Sequence, residues 1–149
     1  VPPERFEVAG LEVQTELICH PGPTVGYRIS EGARSVAYLP DHEPALGVRG
    51  VPSEPEWTSG FSLAAGAALL IHDAQYTAEE YQDRIGWGHS AIEDAVAFAT
   101  MAGVERFVPF HHDPTHDDAM LDRLDLAVRA SGTLAFRLSA GMEGATFDL

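Results

Sequence analysis

Apolar and polar positions alternate over the first forty residues. Residues 11–18 read L-E-V-Q-T-E-L-I, the period-two pattern of a strand with one buried face. Residues 6–8 precede it across Ala9-Gly10, which predicts a hairpin. After the turn signal H-P-G-P at 20–23, residues 25–30 and 35–39 predict a second hairpin around Glu31-Gly32. Residues 40–60 are rich in Pro and Gly and predict a long loop. Loops of that length in compact domains are often functional.

The period then changes. The apolar run 67–71, ending in His72-Asp73, predicts a buried strand. Ser90 and Glu93 have the spacing of a capping box. They predict a helix to about Met101 with Ile92, Ala95, Val96 and Ala99 inward and Gly103 as its stop. Residues 106–110 predict another buried strand. A second helix is expected from about Asp118 to near Gly132, with Leu121, Leu124 and Val128 inward. Residues 134–138 and 145–149 are expected to close the sheet. The predicted class is α/β, with about seven strands and only two helices. Two helices cover one face of such a sheet and leave the other for a partner layer.

The chain has 149 residues, of which 45% are hydrophobic, enough for one folded core. No apolar run approaches the roughly 20 residues of a membrane-spanning helix. The opening V-P-P-E-R-F-E lacks the apolar segment of a signal peptide, and its lack of Met points to a processed or excised start. The single cysteine, Cys19, cannot form an internal disulfide, so the expected compartment is the reducing cytoplasm. Net charge is −14, with nine arginines and no lysine. That balance argues against nucleic acid as a partner, because phosphate-backbone binding depends on clustered cations. It favours a small ligand.

Ligand-type side chains gather behind the apolar runs: Cys19-His20, Asp41-His42-Glu43, His72-Asp73 and His111-His112-Asp113. His89 sits just before the predicted helix cap. Imidazole and carboxylate together suit zinc, manganese or iron. Each cluster also has an ordinary reading. His20 can be a turn residue, Asp41 can close an Asx-turn, and Gly88-His89 can simply lead into a helix. Asp113, Asp117 and Asp118 can serve the dipole of the helix that follows.

Five stretches in this order carry a resemblance: T-E-L-I-C-H-P-G-P-T-V-G-Y-R-I, R-S-V-A-Y-L-P-D-H-E, A-L-L-I-H-D-A-Q-Y-T-A-E-E-Y, G-W-G-H-S-A-I-E-D-A and F-V-P-F-H-H-D-P. Together they resemble metallo-β-lactamase-fold hydrolases, in the ribonuclease Z and cyclic-phosphodiesterase-like branch, from Leu11 to about Asp118. The resemblance implies that His20 and Asp41 hold one metal ion, and that Asp41 and His111 hold a second. It implies that His89 acts as an acid or phosphate contact. His72 and Asp73 match the pair that orients His89, with Asp73 standing where Glu is more usual. His112 and Asp113 match no metal ligand and are expected in the surroundings of the site.

The leading H-x-H-x-D-H motif of that family does not occur in these 149 residues. The resemblance therefore implies half of a metallo-β-lactamase αββα sandwich: residues 1–149 as one unit, the C-terminal part, with the N-terminal half outside it. The implied cofactors are two divalent metal ions, zinc first, with manganese or iron as alternatives, incompletely liganded by this chain. The implied reaction is hydrolysis of a small phosphodiester by a dinuclear metal-bound hydroxide. A cyclic nucleotide ranks first, a lactone or similar ester next, and tRNA lower. The implied partner is the N-terminal half or a second copy. The alternative is a catalytically incomplete half-domain serving as an assembly or regulatory module.

Overall fold

A computed structural model describes residues 3–44, 50–52 and 54–149. Seven strands form one mixed sheet whose spatial order is the order of the sequence. β1 (Glu4–Val8), β2 (Leu11–Ile18), β3 (Thr24–Glu31) and β4 (Arg34–Leu39) pair in turn as antiparallel strands. β5 (Leu69–Asp73), β6 (Arg106–Phe110) and β7 (Arg137–Leu138) continue the sheet in parallel from β4. Both predicted hairpins form. Ala9 and Gly10 take φ of 52° and 83°, the paired left-handed geometry that matches strand twist in a tight hairpin.

The sequence predicts two helices, and the structure adds two short ones. α1 (Phe61–Ala64) and α2 (Ala78–Tyr81) are single turns, while α3 (Ile92–Ala102) and α4 (Asp118–Ala130) are full helices. The capping box falls elsewhere than predicted. Thr77 and Glu80 form it at the start of α2, each side chain bonding the other's backbone N–H. Ser90 is not a cap: α3 starts one residue later on Ala91, and the Ser90 hydroxyl donates to the His42 carbonyl at 2.6 Å. Gly103 ends α3 in the left-handed conformation as expected. Asp117 caps α4 through the Met120 N–H. Of the closing strands, only residues 137–138 pair, and residues 145–149 form no strand.

The core lies on one face of the sheet. Ile18, Ala37, Leu39, Leu70 and Phe107 meet Leu63 and Ala64 of α1, Ala95, Phe98 and Ala99 of α3, and Val128 of α4. Each large apolar side chain buried there contributes about 1.5–3 kcal/mol. Gly26 on β3 lets α1 approach. A Cβ at that position would stand 2.6 Å from Leu39 and 2.8 Å from Leu63. Trp57 ends a single 3-10 turn (Pro55–Trp57) and is 76% exposed, whereas Phe61 packs on the core; the loop expected over 40–60 lies in part outside the described residues.

Among the described residues, no helix covers the other sheet face over β1–β4. Phe6, Val13, Ile29 and Val36 are direct cross-strand partners and share that face. Val8, Leu17 and Tyr27 lie on it too, and Phe6 and Leu17 are 46% and 58% exposed. A contiguous apolar face of this kind marks an interaction surface.

Two histidines sit in the core against Phe98. His72 Nδ1 donates to the Asp73 carbonyl at 2.6 Å, so its Nε2 accepts from His42 Nδ1 at 2.8 Å. Burial holds His42 well below the ordinary imidazole range, and the neighbouring His72 lowers it further. Burial also lowers His72, against the charge of Asp73.

Two predictions follow from this packing. Gly26→Ala should destabilise the protein by about 1–3 kcal/mol through overpacking, read as a lower denaturation midpoint. The His42 and His72 rings should stay neutral in the folded protein as pH falls below about 6.5, where the unfolded chain takes up their protons. Their contribution to stability is complete above that pH and is lost as pH falls through the folded values. A histidine ring NMR titration checks this, and a midpoint near 6.5 for either ring would contradict it.

Candidate metal centre

The strand ends of β2, β4, β5 and β6 open on one edge of the sheet, and the predicted residues collect there. Asp41, His89 and His111 each offer a ligand atom, and these atoms lie within 4.8 Å of one another. Asp41 follows β4 after Pro40. His111 Nε2 stands 3.8 Å from Asp41 Oδ1, too long for a hydrogen bond and short enough for both to reach one ion. His111 follows β6 with φ of 60°, a conformation that costs a non-glycine residue about 1–3 kcal/mol. In that conformation its ring stacks on His89, with centroids 4.9 Å apart and planes 22° from parallel.

His89 is fixed by Asp73. Its Nδ1–H donates to Asp73 Oδ2 at 2.6 Å, which leaves Nε2 to face a ligand or substrate. Burial pulls the His89 pKa down, but the hydrogen bond and charge of Asp73 outweigh it and raise it above the ordinary imidazole value. Asp73 itself is fully buried. It also accepts from the backbone N–H groups of His42, Gln75 and Ser90 at 3.1, 3.1 and 3.2 Å.

His20 lies beside this cluster, its ring edge-on to His89 with centroids 5.5 Å apart. Its Nδ1 is 3.0 Å from the Gly22 N–H and 3.2 Å from the Gly22 carbonyl. Either ring tautomer therefore finds a partner in that turn, and Nε2 has no hydrogen-bond partner among the described residues. Gly88, at φ of 96°, packs so tightly on His20 that any Cβ there would overlap the ring.

The residues singled out from sequence thus separate into groups. His20, Asp41, His89 and His111 share one rim, with Asp73 beneath. His72 points into the core, bonded to His42 and packed on Phe98; the contact that orients His89 runs through Asp73. His112 is half-buried, with Nδ1 shielded from solvent. Asp113 closes the turn at Thr115. His116 bonds Glu80 of α2 at 3.0 Å.

Sequence reasoning named no role for Glu43, Tyr76 or Tyr81. Glu43 is buried and accepts from Tyr81, Gly86 and Gly88. Tyr76 sets its ring against His89 at 6.1 Å and carries the Arg84 guanidinium on its face at 5.0 Å. Two glycines flanking one residue, Gly86-Trp87-Gly88, were the available signal of a strained loop.

Two imidazoles and a carboxylate are a donor set that suits zinc and neighbouring divalent ions. The Asp73 bond to His89 is the kind of outer contact that holds a metal-binding or proton-donating imidazole in one orientation. The residues therefore fit a divalent metal.

Comparison with known proteins bears on the fold. The ribonuclease Z of Mycolicibacterium paratuberculosis is 31% identical over 99 residues, which are 62% of this chain and 31% of that enzyme. The metallo-beta-lactamase fold protein YhfI from Bacillus subtilis superposes with a TM-score of 0.72 at 18% identity, over 97% of this chain and 52% of that one. The Zn2+-bound PqqB from Methylobacterium extorquens gives 0.68 at 23% identity, over 99% of this chain and 54% of that one. The chain thus spans about half the length of these two solved structures and less of the curated relative. The family model described as the beta-lactamase superfamily domain matches residues 4–112, and the chain belongs to that family.

Proposed function

We propose that this chain supplies part of the active site of a metal-dependent hydrolase that cleaves a phosphodiester. The observation that carries the proposal is the convergence of Asp41, His89 and His111 at the strand ends. His20, Asp41 and His111 would hold the metal ions, two in number, with zinc ahead of manganese or iron. Bound there, such ions supply Lewis-acid polarisation of the phosphoryl group and a nucleophile usable at neutral pH. This chain's own part is acid chemistry and orientation. His89, held through Nδ1 by Asp73, presents Nε2 to donate a proton to the leaving oxygen.

The acidic composition argues against nucleic acid, but the curated relatives are ribonuclease Z sequences, and they give that expectation no support. An RNA phosphodiester therefore stands beside a small cyclic one as the substrate class. We take the chain to be one half of an αββα sandwich. Its bare apolar sheet face and its span of about half the solved relatives support that reading. The N-terminal half carrying H-x-H-x-D-H would cover the face and complete the ligand set. The bare face equally favours a second reading, in which two copies pair through it as an assembly module without catalysis.

The intact protein loaded with Zn2+ or Mn2+ is expected to hydrolyse bis-p-nitrophenyl phosphate and a short RNA. Asp41→Ala should lower the rate on the order of a hundredfold or more and reduce bound metal. A protein that takes up no metal, elutes as a dimer of this chain and cleaves neither substrate would favour the assembly reading.

A further inference from the structure

We propose that Glu43 is a positioning residue that fixes the spacing between His20 and His89. The proposal rests on the reading of their cluster as a metal centre. Glu43 is 1% exposed, and it joins three segments at once. Its backbone N–H donates to the Cys19 carbonyl at 3.0 Å, one residue before His20. Its side chain takes the Tyr81 hydroxyl at 2.6 Å, the Gly86 N–H at 2.9 Å and the Gly88 N–H at 2.8 Å, the last being one residue before His89. Asp41 lies two residues upstream on the same short stretch.

The chemistry of this joint demands a carboxylate. Two backbone amides and a hydroxyl converge on one buried group, and an unpaired buried donor is costly. The Gly86 N–H reaches both oxygens, at 2.9 and 3.1 Å. A glutamine at this position would therefore turn its NH2 against a glycine N–H in either orientation. The loop must then shift, and Gly88 cannot shift without moving His20, because their backbone and ring are already in contact. In this proposal Glu43 acts through the His20 and His89 rings.

The test uses the intact protein without metal, and then with Co2+ as the probe. In Glu43→Gln the Gly86 and Gly88 amides should exchange at least about tenfold faster, equivalent to roughly 1.4 kcal/mol. The His20 and His89 ring resonances should move while core amides such as those of Leu70 and Phe107 do not. Tyr81→Phe removes one donor and keeps both amide bonds, so the rings should stay. Glu43→Asp keeps the charge but withdraws it by one methylene. It should move the rings in the same way if Glu43→Gln fails to fold. With Co2+, Glu43→Gln should bind about tenfold more weakly or worse and change the visible absorption of the bound ion. Unmoved rings in the folded variants, or equal Co2+ affinity and spectrum, overturn the proposal. If the unsubstituted protein takes up no Co2+, the metal reading falls, and the ring positions still decide this one.

Discussion

The site depends on one buried charge. Asp73 ends β5 with its carboxylate closed off from solvent, a placement that costs several kcal/mol unless the group is fully bonded. Four donors answer it: His89 Nδ1–H and the backbone amides of His42, Gln75 and Ser90. Those donors come from the β4 exit, the β5 exit and the lead into α3. The desolvation penalty therefore acts as a clamp. Moving any one of those segments leaves an unpaired group inside the protein, so the rim residues inherit the precision of the carboxylate beneath them.

A second buried carboxylate, Glu43, repeats the device on the neighbouring stretch, and the His42–His72 pair fills the space between site and core. Polar groups thus form a continuous floor under the rim, while the metal-type ligands above it stay half-exposed. The strain at His111 fits the same division. The left-handed backbone at the end of β6 is costly for histidine, and it places the ring against His89, where a relaxed strand continuation would turn it elsewhere.

Much of the fold was legible from period alone. The alternation at 11–18 and the apolar run at 106–110 gave strands at those residues, and Gly103 gave the end of α3. The failures were local competitions that pattern cannot resolve. Ser90 and Glu93 had the spacing of a capping box, but the Ser90 hydroxyl is taken by the His42 carbonyl, a partner 48 residues away. Thr77 and Glu80 carried the same signature in a stretch too short to show helical period. Residues 145–149 alternate like a strand but find no ladder. At the site, His20, Asp41 and His111 stood out in the sequence because each follows an apolar run, and His89 because it leads into a helix. The Glu43–Tyr81 bond was not legible, because it joins residues far apart in the chain and no local spacing encodes it. His72 adjoins Asp73 in sequence, yet the two-residue pleat of β5 sends them to opposite sides of the sheet.

The strand order has a kinetic side. Every strand pairs with the strand immediately before it in the chain, so no pairing must wait for a distant segment to return and insert. The antiparallel half can zip from its two hairpins, and each parallel strand then adds to an edge already in place. Closing the short hairpin loops of the antiparallel half carries a small entropy cost per step, whereas β5, β6 and β7 must each first close a long crossover that includes at least one helix. On the half-sandwich reading proposed above, the apolar outer face of this sheet is what a second layer would dock on.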